Sequence, residues 1–348
     1  MYNISVFIGR FQPFHKGHLH NILVALSKSQ KIIINVGSSF NAPNIKNPFS
    51  FEQRKQMIKE DLKASGVDLS RVMIEPLADF FYEEQKWEEA LRRNVAKHVK
   101  QYQTVAIVGH MKDDSSYYLE SFPEWGFIAV DNYKNYNATD FRLEFYKGSI
   151  KADYMCSEDP NVATYKFLSD FMKTQSYYDL VKENNYVIEH KKSWKPAPYK
   201  PILVTVDALV IVNDHILLIQ RDGFPGKNLW ALPGGFLDYT ETVSQGIVRE
   251  LFEETNIDLT IEQLAIAKRQ EKVFDYPSRS VRGRTISHVG LFIFEKWPSL
   301  PKVKAADDAK NAKWLPIRSI INDMYDRMLE DHYQIITVLL ENCCMNKV

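Results

Sequence analysis

Three prolines within six residues, Pro196, Pro198 and Pro201, interrupt the chain a little past its middle. Proline lacks a backbone donor and fixes φ, so such a run cannot continue a helix or lie within a central strand. We therefore predict a semi-rigid linker over residues 191–201. At 348 residues the chain is long enough for two domains of ordinary size, and we place them at residues 1–190 and 202–348.

The segment before the linker alternates short β-rich runs with longer amphipathic stretches. This pattern is typical of an α/β fold in which helices wrap a parallel sheet. The predicted strands are Ile4–Ile8, Lys31–Val36, Arg71–Glu75, Thr104–Val108 and Phe127–Val130, and the clearest predicted helices are Phe51–Leu62 and Glu83–Val99.

The segment after the linker has the pattern of a smaller α+β domain. Leu203–Val212 and His215–Gln220 flank a short polar turn and predict a hairpin. We place a further strand at His288–Phe294, and helices at Glu241–Thr255 and Met324–Leu340.

Composition narrows the function classes. Lys plus Arg total 44 and Asp plus Glu total 44, so the formal net charge is zero. Proteins that bind nucleic-acid duplexes usually carry a positive excess, so we predict no nucleic-acid partner, although local basic pockets for small anions stay open. No apolar stretch predicts a signal peptide or a membrane span. Cys156, Cys343 and Cys344 form no disulfide framework and no metal-ligand pattern, so we predict a soluble, cytoplasmic protein without a membrane partner.

The first predicted strand runs directly into a turn rich in potential anion ligands, His15-Lys16-Gly17-His18. A helix that begins near Gly17 would present unpaired N–H groups and partial positive charge, which favour phosphate binding. Gly17 would also let a ligand approach the backbone closely. Two imidazoles, together with the fixed charges of Arg10 and Lys16, suit a phosphate bridge that gains negative charge during phosphoryl transfer.

This H-x-G-H element after a strand resembles a signature of the nucleotidylyltransferase superfamily, whose fold is Rossmann-like. The second signature of that superfamily is similar to residues 137–142, where Thr139 would cap a helix and Arg142 would reach a phosphate oxygen. Residues 47–54 and 109–118 resemble segments of archaeal-type nicotinamide-mononucleotide adenylyltransferases. The resemblance implies that substrate is bound by Gly9, Arg10, Phe11, Gly17, Asn47, Arg54, Trp87, Gly109, Lys112, Asp113, Asn137 and Thr139.

The same resemblance implies that the 5′-phosphate of the mononucleotide attacks the α-phosphorus of ATP and releases pyrophosphate. Positioning and charge neutralisation would then supply the catalysis, through Mg²⁺ and through His15, Lys16, His18 and Arg142. Trp87 would stack on the nicotinamide ring. The simpler alternatives are that Trp87 belongs to the core and that Arg54 is a solvated helix charge.

A dense motif lies between Gly235 and Ile257. Glu250, Glu253 and Glu254 fall at i, i+3 and i+4, so their carboxylates would project from one helix face. Carboxylates this close repel one another unless divalent cations lie between them, and hard oxygen ligands favour Mg²⁺ or Mn²⁺. Such ions would neutralise a pyrophosphate and lower the pKa of an attacking water. The alternative is a solvated acidic helix.

This motif resembles the Nudix box at every fixed position except one, where Asn256 replaces glycine. The substitution is mild because asparagine is the next-best residue for a left-handed helix cap. The resemblance implies that Glu241 and Arg249 support the metal ligands and that the turn before the helix admits substrate through Gly234 and Gly235.

Residues 273–284 resemble a segment of ADP-ribose-cleaving Nudix enzymes. The resemblance implies that Arg279, Arg282 and Arg284 contact phosphate or the terminal ribose, and the alternative is a basic surface hairpin. Asp307 and Asp308 are candidates for extra metal ligands, although we favour a solvated turn for them. We interpret His332 as structural, and the general base stays unassigned.

The order of the two domains resembles that of bacterial bifunctional nicotinamide-mononucleotide adenylyltransferase/Nudix hydrolases. The resemblance implies an enzyme that makes NAD⁺ from ATP and the mononucleotide, hydrolyses ADP-ribose to AMP and ribose 5-phosphate, and uses Mg²⁺ or Mn²⁺ at both sites. Several alternatives stay open: a nucleotidylyltransferase that makes dephospho-coenzyme A or FAD, a Nudix domain for another nucleoside diphosphate derivative, and a non-catalytic ADP-ribose sensor. A homo-oligomer is also left open.

Overall fold

The structure, a computed structural model, describes residues 1–110, 121–130, 133, 136–156 and 163–345, with side chains up to Glu341. The chain divides into two compact units, Met1–Lys182 and Glu183–Val348. The division falls inside a helix that ends at Ser193, so the prolines of the predicted linker follow that helix directly. The domain limits at residues 190 and 201 stay a prediction.

Unit 1 is an α/β layer structure. Its strands are β1 (Tyr2–Gly9), β2 (Ser29–Val36), β3 (Val72–Pro76), β4 (Val105–Gly109) and β5 (Gly126–Ala129), and its helices are α1 (Lys16–Lys28), α2 (Phe51–Ala64), α3 (Glu84–Ala96), α4 (Ala138–Phe145), α5 (Ala163–Phe171) and the first turns of α6 (Gln175–Ser193). Every predicted strand of this unit is present, and no strand end differs from its predicted position by more than two residues.

Within the described residues these strands form one parallel sheet in the order β3-β2-β1-β4-β5. Both faces of the sheet are buried, because Val6 of β1 packs into one apolar cluster and Phe7 into another. The chain proceeds from β1 in one direction to β2 and β3, and in the other direction to β4 and β5. The carboxyl end of β1 therefore lies at the topological switch point, where open parallel sheets bind ligands.

Unit 2 is built around a mixed sheet. Its strands are β6 (Leu203–Val212), β7 (His215–Arg221), β8 (Trp230–Ala231), β9 (Gly234–Phe236), β10 (Lys268–Phe274), β11 (Thr285–Phe294) and β12 (Ala309–Pro316), and its helices, after the last turns of α6, are α7 (Val243–Thr255), α8 (Ile261–Ala267), α9 (Ile317–Asp323) and α10 (His332–Met345). Among the described strands the order is β10-β11-β6-β7-β12, with β8 paired to β7 and β9 to β6.

The sheet positions α7. Only the β6–β11 pair is parallel among the described pairs, and β6 is a long apolar strand at the centre. Ile247 and Leu251 of α7 pack on Val206 and Val210 of β6 in one buried cluster. This contact fixes which face of α7 is left for chemistry.

The predicted C-terminal helix Met324–Leu340 is wrong at its start. Tyr325–Arg327 forms a single 3-10 turn, and α10 begins only at His332. Glu330 has φ 44°, a left-handed conformation that breaks a continuous helix. Met324 and Met328 are buried at helical spacing, so the apolar pattern alone could not reveal the break. In the part of the chain that the structure describes, every helix is too short or too polar to span a bilayer.

Candidate active sites

The turn after β1 positions both histidines of the first motif. His15 is the N-cap of α1, and its Nδ1 atom accepts a hydrogen bond from the backbone N–H of Gly17 at 3.2 Å. A Cβ atom at position 17 would lie 3.1 Å from the His15 ring, so glycine lets the imidazole fold over the helix end. The predicted helix start near Gly17 is therefore confirmed, and His15 itself makes the cap.

The two imidazoles lie face to face. Their ring centroids are 3.7 Å apart, and Phe11 and Phe14 pack around His18. Burial lowers the pKa of His15 to about 4. Burial and the neighbouring His15 hold the pKa of His18 well below its ordinary value. Both rings are therefore neutral near pH 7, and the buried Nδ1 of His18 has no hydrogen-bond partner among the described residues.

Arg142 reaches this turn from α4. Its Nη1 donates to the backbone carbonyl of Gln12 at 2.9 Å, and its Nη2 lies 3.4 Å from the Thr139 hydroxyl oxygen. Burial lowers the pKa of Arg142 to about 10, so the side chain stays positive near neutrality. The sequence motif and the β1 turn, more than 120 residues apart in the chain, thus meet at one place.

The predicted Thr139 cap is wrong. Asn137 caps α4 instead, because its Oδ1 accepts from the backbone N–H of Asp140 at 2.9 Å. The helix begins at Ala138, which places Thr139 within the first turn and leaves its hydroxyl facing Arg142.

Arg54 is fully buried and not a solvated helix charge. Its guanidinium donates to the backbone carbonyls of Arg10 and Gly37, each at 2.7 Å, and of Ser38 at 3.1 Å. It therefore holds together the loops that follow β1 and β2. Burial lowers its pKa to about 10. Asn47, seven residues before Arg54 in the sequence, is also buried, and its Oδ1 has no hydrogen-bond partner among the described residues.

The other predicted substrate-binding residues of unit 1 differ in their burial. Trp87 is half-buried and packs with Leu91 and Val95 of α3 against the sheet, so it belongs at least partly to the core. Arg10 is exposed, while Phe11 is buried with φ 52°. Gly109 is buried at the end of β4, and a Cβ at Gly9 would collide with the Phe11 ring. Lys112 and Asp113 lie outside the described residues.

In unit 2 the predicted motif helix is α7. Thr242 and Gln245 form a reciprocal capping box at its start, two residues after the predicted beginning. Asn256 closes the helix with φ 40° in the left-handed region, as expected from its place in the motif.

Arg249 holds three carboxylates of the motif. Its guanidinium nitrogens lie 2.7 Å from Glu241, 2.9 Å from Glu250 and 2.8 Å from Glu253. Glu253 is about half exposed in this arrangement, whereas Glu250 and Glu254 are buried and line a cavity of about 430 Å³. Within the described ranges no three His, Cys, Asp or Glu side chains are grouped as metal ligands. The carboxylates at i, i+3 and i+4 thus do not all converge.

Two glycines let the backbone approach these carboxylates. The N–H of Gly234 donates to Glu254 Oε2 at 2.8 Å, and any Cβ there would collide with Asp207. A Cβ at Gly235 would collide with the carboxyl of Glu250. Both positions therefore require glycine for close contact with the cavity wall.

The cavity raises the pKa of its acids. Burial raises the pKa of Glu254 to about 8, assisted by the charges of Glu250 and Asp207. Burial likewise raises the pKa of Glu250 and brings that of Asp207 to about 6. Crowded carboxylates with raised pKa values are what a divalent cation would relieve, so the donor chemistry fits Mg²⁺ or Mn²⁺.

The three predicted arginines have different surroundings. Arg279 forms a bidentate ion pair with Asp331, at 2.9 and 2.8 Å, and both side chains are almost fully buried. Arg282 lies 5.0 Å above the ring of Phe236. Arg284 pairs with Asp275. Arg279 and Arg282 line the cavity, and Arg284 does not appear on its wall.

Some cavity residues were missed by sequence reasoning. Asp207 interrupts the apolar run of β6, and its Oδ2 bonds to the buried Ser287 hydroxyl. A charged residue inside so apolar a strand is the signal that could have found it. His332 is buried, and its Nδ1 accepts from the N–H of Leu232 at 3.0 Å, which supports the structural role predicted for it. Asp307 and Asp308 were not missed: they are exposed, as a solvated turn would be, and they also line the cavity.

Family comparisons match each unit separately. The cytidylyltransferase-like family matches residues 6–144, and the NUDIX domain family matches residues 201–339. A nicotinamide/nicotinic acid mononucleotide adenylyltransferase of Acinetobacter baylyi is 38% identical over 180 residues, which cover 51% of this chain and 92% of the relative. An ADP-ribose pyrophosphatase of Methanocaldococcus jannaschii is 35% identical over 133 residues, which cover 38% of this chain and 70% of the relative.

Two crystal structures from Francisella tularensis match both units together. Each is a bifunctional NMN adenylyltransferase/ADP ribose pyrophosphatase, and one is complexed with AMP and a manganese ion. They are 69% and 70% identical to this chain, with TM-scores of 0.96 and 0.97, and cover 99% of this chain and 100% of theirs. The chain belongs to the bifunctional NMN adenylyltransferase/ADP-ribose pyrophosphatase family. Unit 1 is its adenylyltransferase-like domain, and unit 2 is its Nudix domain.

Proposed function

We propose that this protein is a bifunctional enzyme of NAD metabolism. Unit 1 transfers the adenylyl group of ATP to nicotinamide mononucleotide, and unit 2 hydrolyses ADP-ribose to AMP and ribose 5-phosphate. The observation that carries the proposal is the 69% identity to a protein of both activities across 99% of this chain. The face-to-face imidazoles of unit 1, and the Glu250 and Glu254 carboxylates on the wall of the unit 2 cavity, support the two halves of the proposal.

Adenylyl transfer needs positioning and charge neutralisation rather than a covalent nucleophile. An oxygen of the mononucleotide 5′-phosphate attacks the α-phosphorus of ATP, a new P–O bond forms, and the bond to the β-phosphate breaks to release pyrophosphate. His15 and His18 are neutral, so each would donate a hydrogen bond to phosphate oxygens without carrying charge. Lys16 and Arg142 would supply the positive charge, and the start of α1 would add backbone N–H donors.

The substrate would bind around this turn. The turn itself is formed by Gly9, Arg10, Phe11 and Gly17. Arg54 holds this turn in place by donating a hydrogen bond to the backbone carbonyl of Arg10. We assign the remaining substrate contacts to the residues whose place in the motifs suggests them, which are Asn47, Trp87, Gly109, Lys112, Asp113, Asn137 and Thr139. A divalent cation at this site also stays a proposal.

In unit 2 the Nudix box would bind the diphosphate of ADP-ribose. Glu250, Glu253 and Glu254 would hold a divalent cation, Mg²⁺ or Mn²⁺. When bound, the ion neutralises the diphosphate and lowers the pKa of the attacking water. Arg249 and Glu241 position the carboxylates through the ion pairs described above.

The walls of the unit 2 cavity would select the substrate. Gly234 and Gly235 bring the backbone next to the carboxylates, and Arg282 offers a positive charge beside the exposed Phe236 ring. Arg279 would contact the substrate from the cavity wall while it stays paired with Asp331. Arg284, which is not on the cavity wall, would contact phosphate or the terminal ribose at the edge of the site. These features favour a dinucleotide-like ligand with a charged centre and a planar end.

Other features of the proposal concern the cell. The reactants are ATP, nicotinamide mononucleotide, NAD⁺ and ADP-ribose, and all of them are small nucleotides. We place the enzyme in the cytoplasm, without nucleic-acid or membrane partners. A homo-oligomer is compatible with both sites.

The deciding experiment assays wild-type protein in two reactions with Mg²⁺ or Mn²⁺. One contains ATP with nicotinamide mononucleotide or its deamido form, and the other contains ADP-ribose, with NAD⁺ and other nucleoside diphosphate derivatives as controls. We expect NAD⁺ formation in the first and AMP release in the second. Absence of NAD⁺ formation with a product from another acceptor would overturn the first half. If ADP-ribose binds without being cleaved, unit 2 is a sensor, and the proposed hydrolysis is overturned.

A further inference from the structure

A second cavity in unit 2 lies outside the Nudix pocket. It encloses about 510 Å³, within the range of small-molecule sites, and is lined by the last turn of α6, the segment that follows it and the loop before β11. We call it the linker cavity. Its cationic lining residues are Lys191, Lys195, Lys200, Arg282 and Arg284, and none of the described residues that line it is acidic.

The lysines that line the linker cavity lack counter-ions among the described residues, whereas Arg284 pairs with Asp275. Lys191, Lys195 and Lys200 form no ion pair with any described residue, and burial lowers the pKa of Lys191. Residues 190–206 contain no Asp or Glu, although the whole chain is neutral. Gathering like charges costs free energy that a bound anion would recover, because each ammonium loses repulsion and gains a charge-assisted hydrogen bond.

Aromatic rings stand beside these charges. Trp194 and Tyr199 line the cavity, and 43% and 84% of their surfaces are exposed. Large exposed rings next to cations offer a stacking face for a planar base. Prolines on both sides of Tyr199 restrict the backbone, so less conformational freedom would be lost on binding.

We propose that the linker cavity binds a nucleoside triphosphate. The lysines and arginines would receive the phosphates, and Trp194 or Tyr199 would receive the base. A triphosphate fits better than a monophosphate or a dinucleotide, because three lysines with no ion pair among the described residues, together with Arg282, call for a ligand with concentrated negative charge.

Arg282 connects the linker cavity to the Nudix pocket, since it lines both. Its guanidinium lies over Phe236, on the wall of the Nudix pocket. A triphosphate that attracts Arg282 would draw it from Phe236 and raise the KM for ADP-ribose. This step rests on the proposed function of unit 2, whereas the binding site itself does not.

Binding is tested by calorimetric titration of the full chain with α,β-methylene ATP, which cannot be used for adenylyl transfer. We compare wild type, the Lys195→Ala/Lys200→Ala double variant and Lys192→Ala. Lys192 is the matched control, because it lies on the same segment but not on the cavity wall and pairs with Glu189. We expect one binding component to weaken more than about tenfold in the double variant and to stay unchanged in Lys192→Ala. Identical titrations of wild type and the double variant would overturn the site.

Two further arms separate the sources of the signal. Inorganic tripolyphosphate should bind more weakly than the nucleotide, and Trp194→Ala should remove that difference. Equal binding of the two ligands, with no effect of Trp194→Ala, would overturn the nucleoside part. A KM for ADP-ribose that rises severalfold in the double variant without added nucleotide would mean that the cavity holds the far end of the hydrolase substrate, and would also overturn the proposal.

The coupling is tested by the KM for ADP-ribose with and without α,β-methylene ATP. We expect the analogue to raise KM in wild type and Lys192→Ala, and to do so less in the double variant. An unchanged KM despite binding would show that the Arg282 step is wrong. If wild type does not cleave ADP-ribose at all, the proposed function fails, and the calorimetric result still decides the binding site.

Discussion

The two candidate sites prepare for phosphate groups in opposite ways. Unit 1 brings neutral imidazoles and buried guanidinium groups to the start of a helix, so the protein itself supplies donors and positive charge. Unit 2 gathers carboxylates whose pKa values are raised, which repel a phosphate until a cation intervenes. The protein's own side chains thus supply positive charge at the first site, whereas at the second site that charge would come from a bound divalent cation.

The sharpest test of this difference is Glu254→Gln. Glutamine keeps an acceptor for the N–H of Gly234 but removes a charge from the proposed metal site. We expect the rate of AMP release from ADP-ribose to fall at least about a thousandfold, because metal catalysis depends on that carboxylate. Adenylyl transfer by the same sample should be unchanged.

The matched control is Glu262→Gln, which removes an exposed carboxylate from the first turn of α8. It should leave both activities intact. Substantial hydrolysis by Glu254→Gln would place the metal elsewhere in unit 2.

His18→Ala tests the other half of the comparison. The loss of one imidazole donor at a growing negative charge should slow NAD⁺ formation by about 10²–10³-fold. Hydrolysis of ADP-ribose should not change. His20→Ala is the control on the same helix, because His20 stacks on Tyr133 away from the imidazole pair. Equal losses in the two variants would mean that α1 had been damaged as a whole.

Asp331→Asn tests a second contrast between the units. In unit 1 the buried Arg54 and Arg142 donate to backbone carbonyls, whereas in unit 2 the buried Arg279 pairs with a carboxylate. The substitution removes the buried carboxylate that pairs bidentately with Arg279, which should lower the free energy of unfolding of unit 2 by about 3 kcal/mol. The exposed Asp326→Asn should have almost no effect. Denaturant titration followed by unit-specific probes measures both. If the two variants are equally stable, the Arg279–Asp331 pair contributes little.

The smallest expected effect is a difference in pH dependence between the units. The raised pKa of Glu254, about 8 against an ordinary 4.5, means that folded unit 2 retains a proton that the unfolded chain releases in this window. The metal-free unit therefore loses stability as pH rises from 6.5 to 8, by up to about 2 kcal/mol. The lowered pKa values of His15 and His18 act oppositely, and stabilise unit 1 as pH rises toward 6.5.

Calorimetry at pH 6.5 and pH 8 checks this contrast. Only the transition of unit 2 should move to lower temperature at pH 8, and Mn²⁺ or the Glu254→Gln substitution should remove the shift. A transition of unit 2 that is as stable at pH 8 as at pH 6.5 without metal would contradict the raised pKa.

The sequence predicted most of the fold because its strands are apolar runs bounded by turns. The pairs Leu203–Val212 with β6 and Lys31–Val36 with β2 illustrate how closely apolar runs follow strand limits. The start of the C-terminal helix could not be predicted, because the left-handed Glu330 is invisible in a pattern of apolar spacing.

The sites were predictable where a motif supplies the spacing and less so elsewhere. The Asn137 cap depends on where α4 begins, which spacing alone leaves uncertain by a residue. Asp207 belongs to no motif and joins the carboxylates only through the pairing of β6 with β9. The buried ion pair of Arg279 could not be predicted, because its partner Asp331 lies 52 positions later in the chain and outside the motif.

The strand order of unit 1 has a consequence for how the protein is made. Strand β1 leaves the ribosome well before one of its two neighbours, β4, which begins only at Val105. Closing this long loop is slow compared with local helix formation, so the β1 turn stays unsupported on one side during much of synthesis. The residues of the β1 turn would thus reach their final arrangement only after β4 has been made.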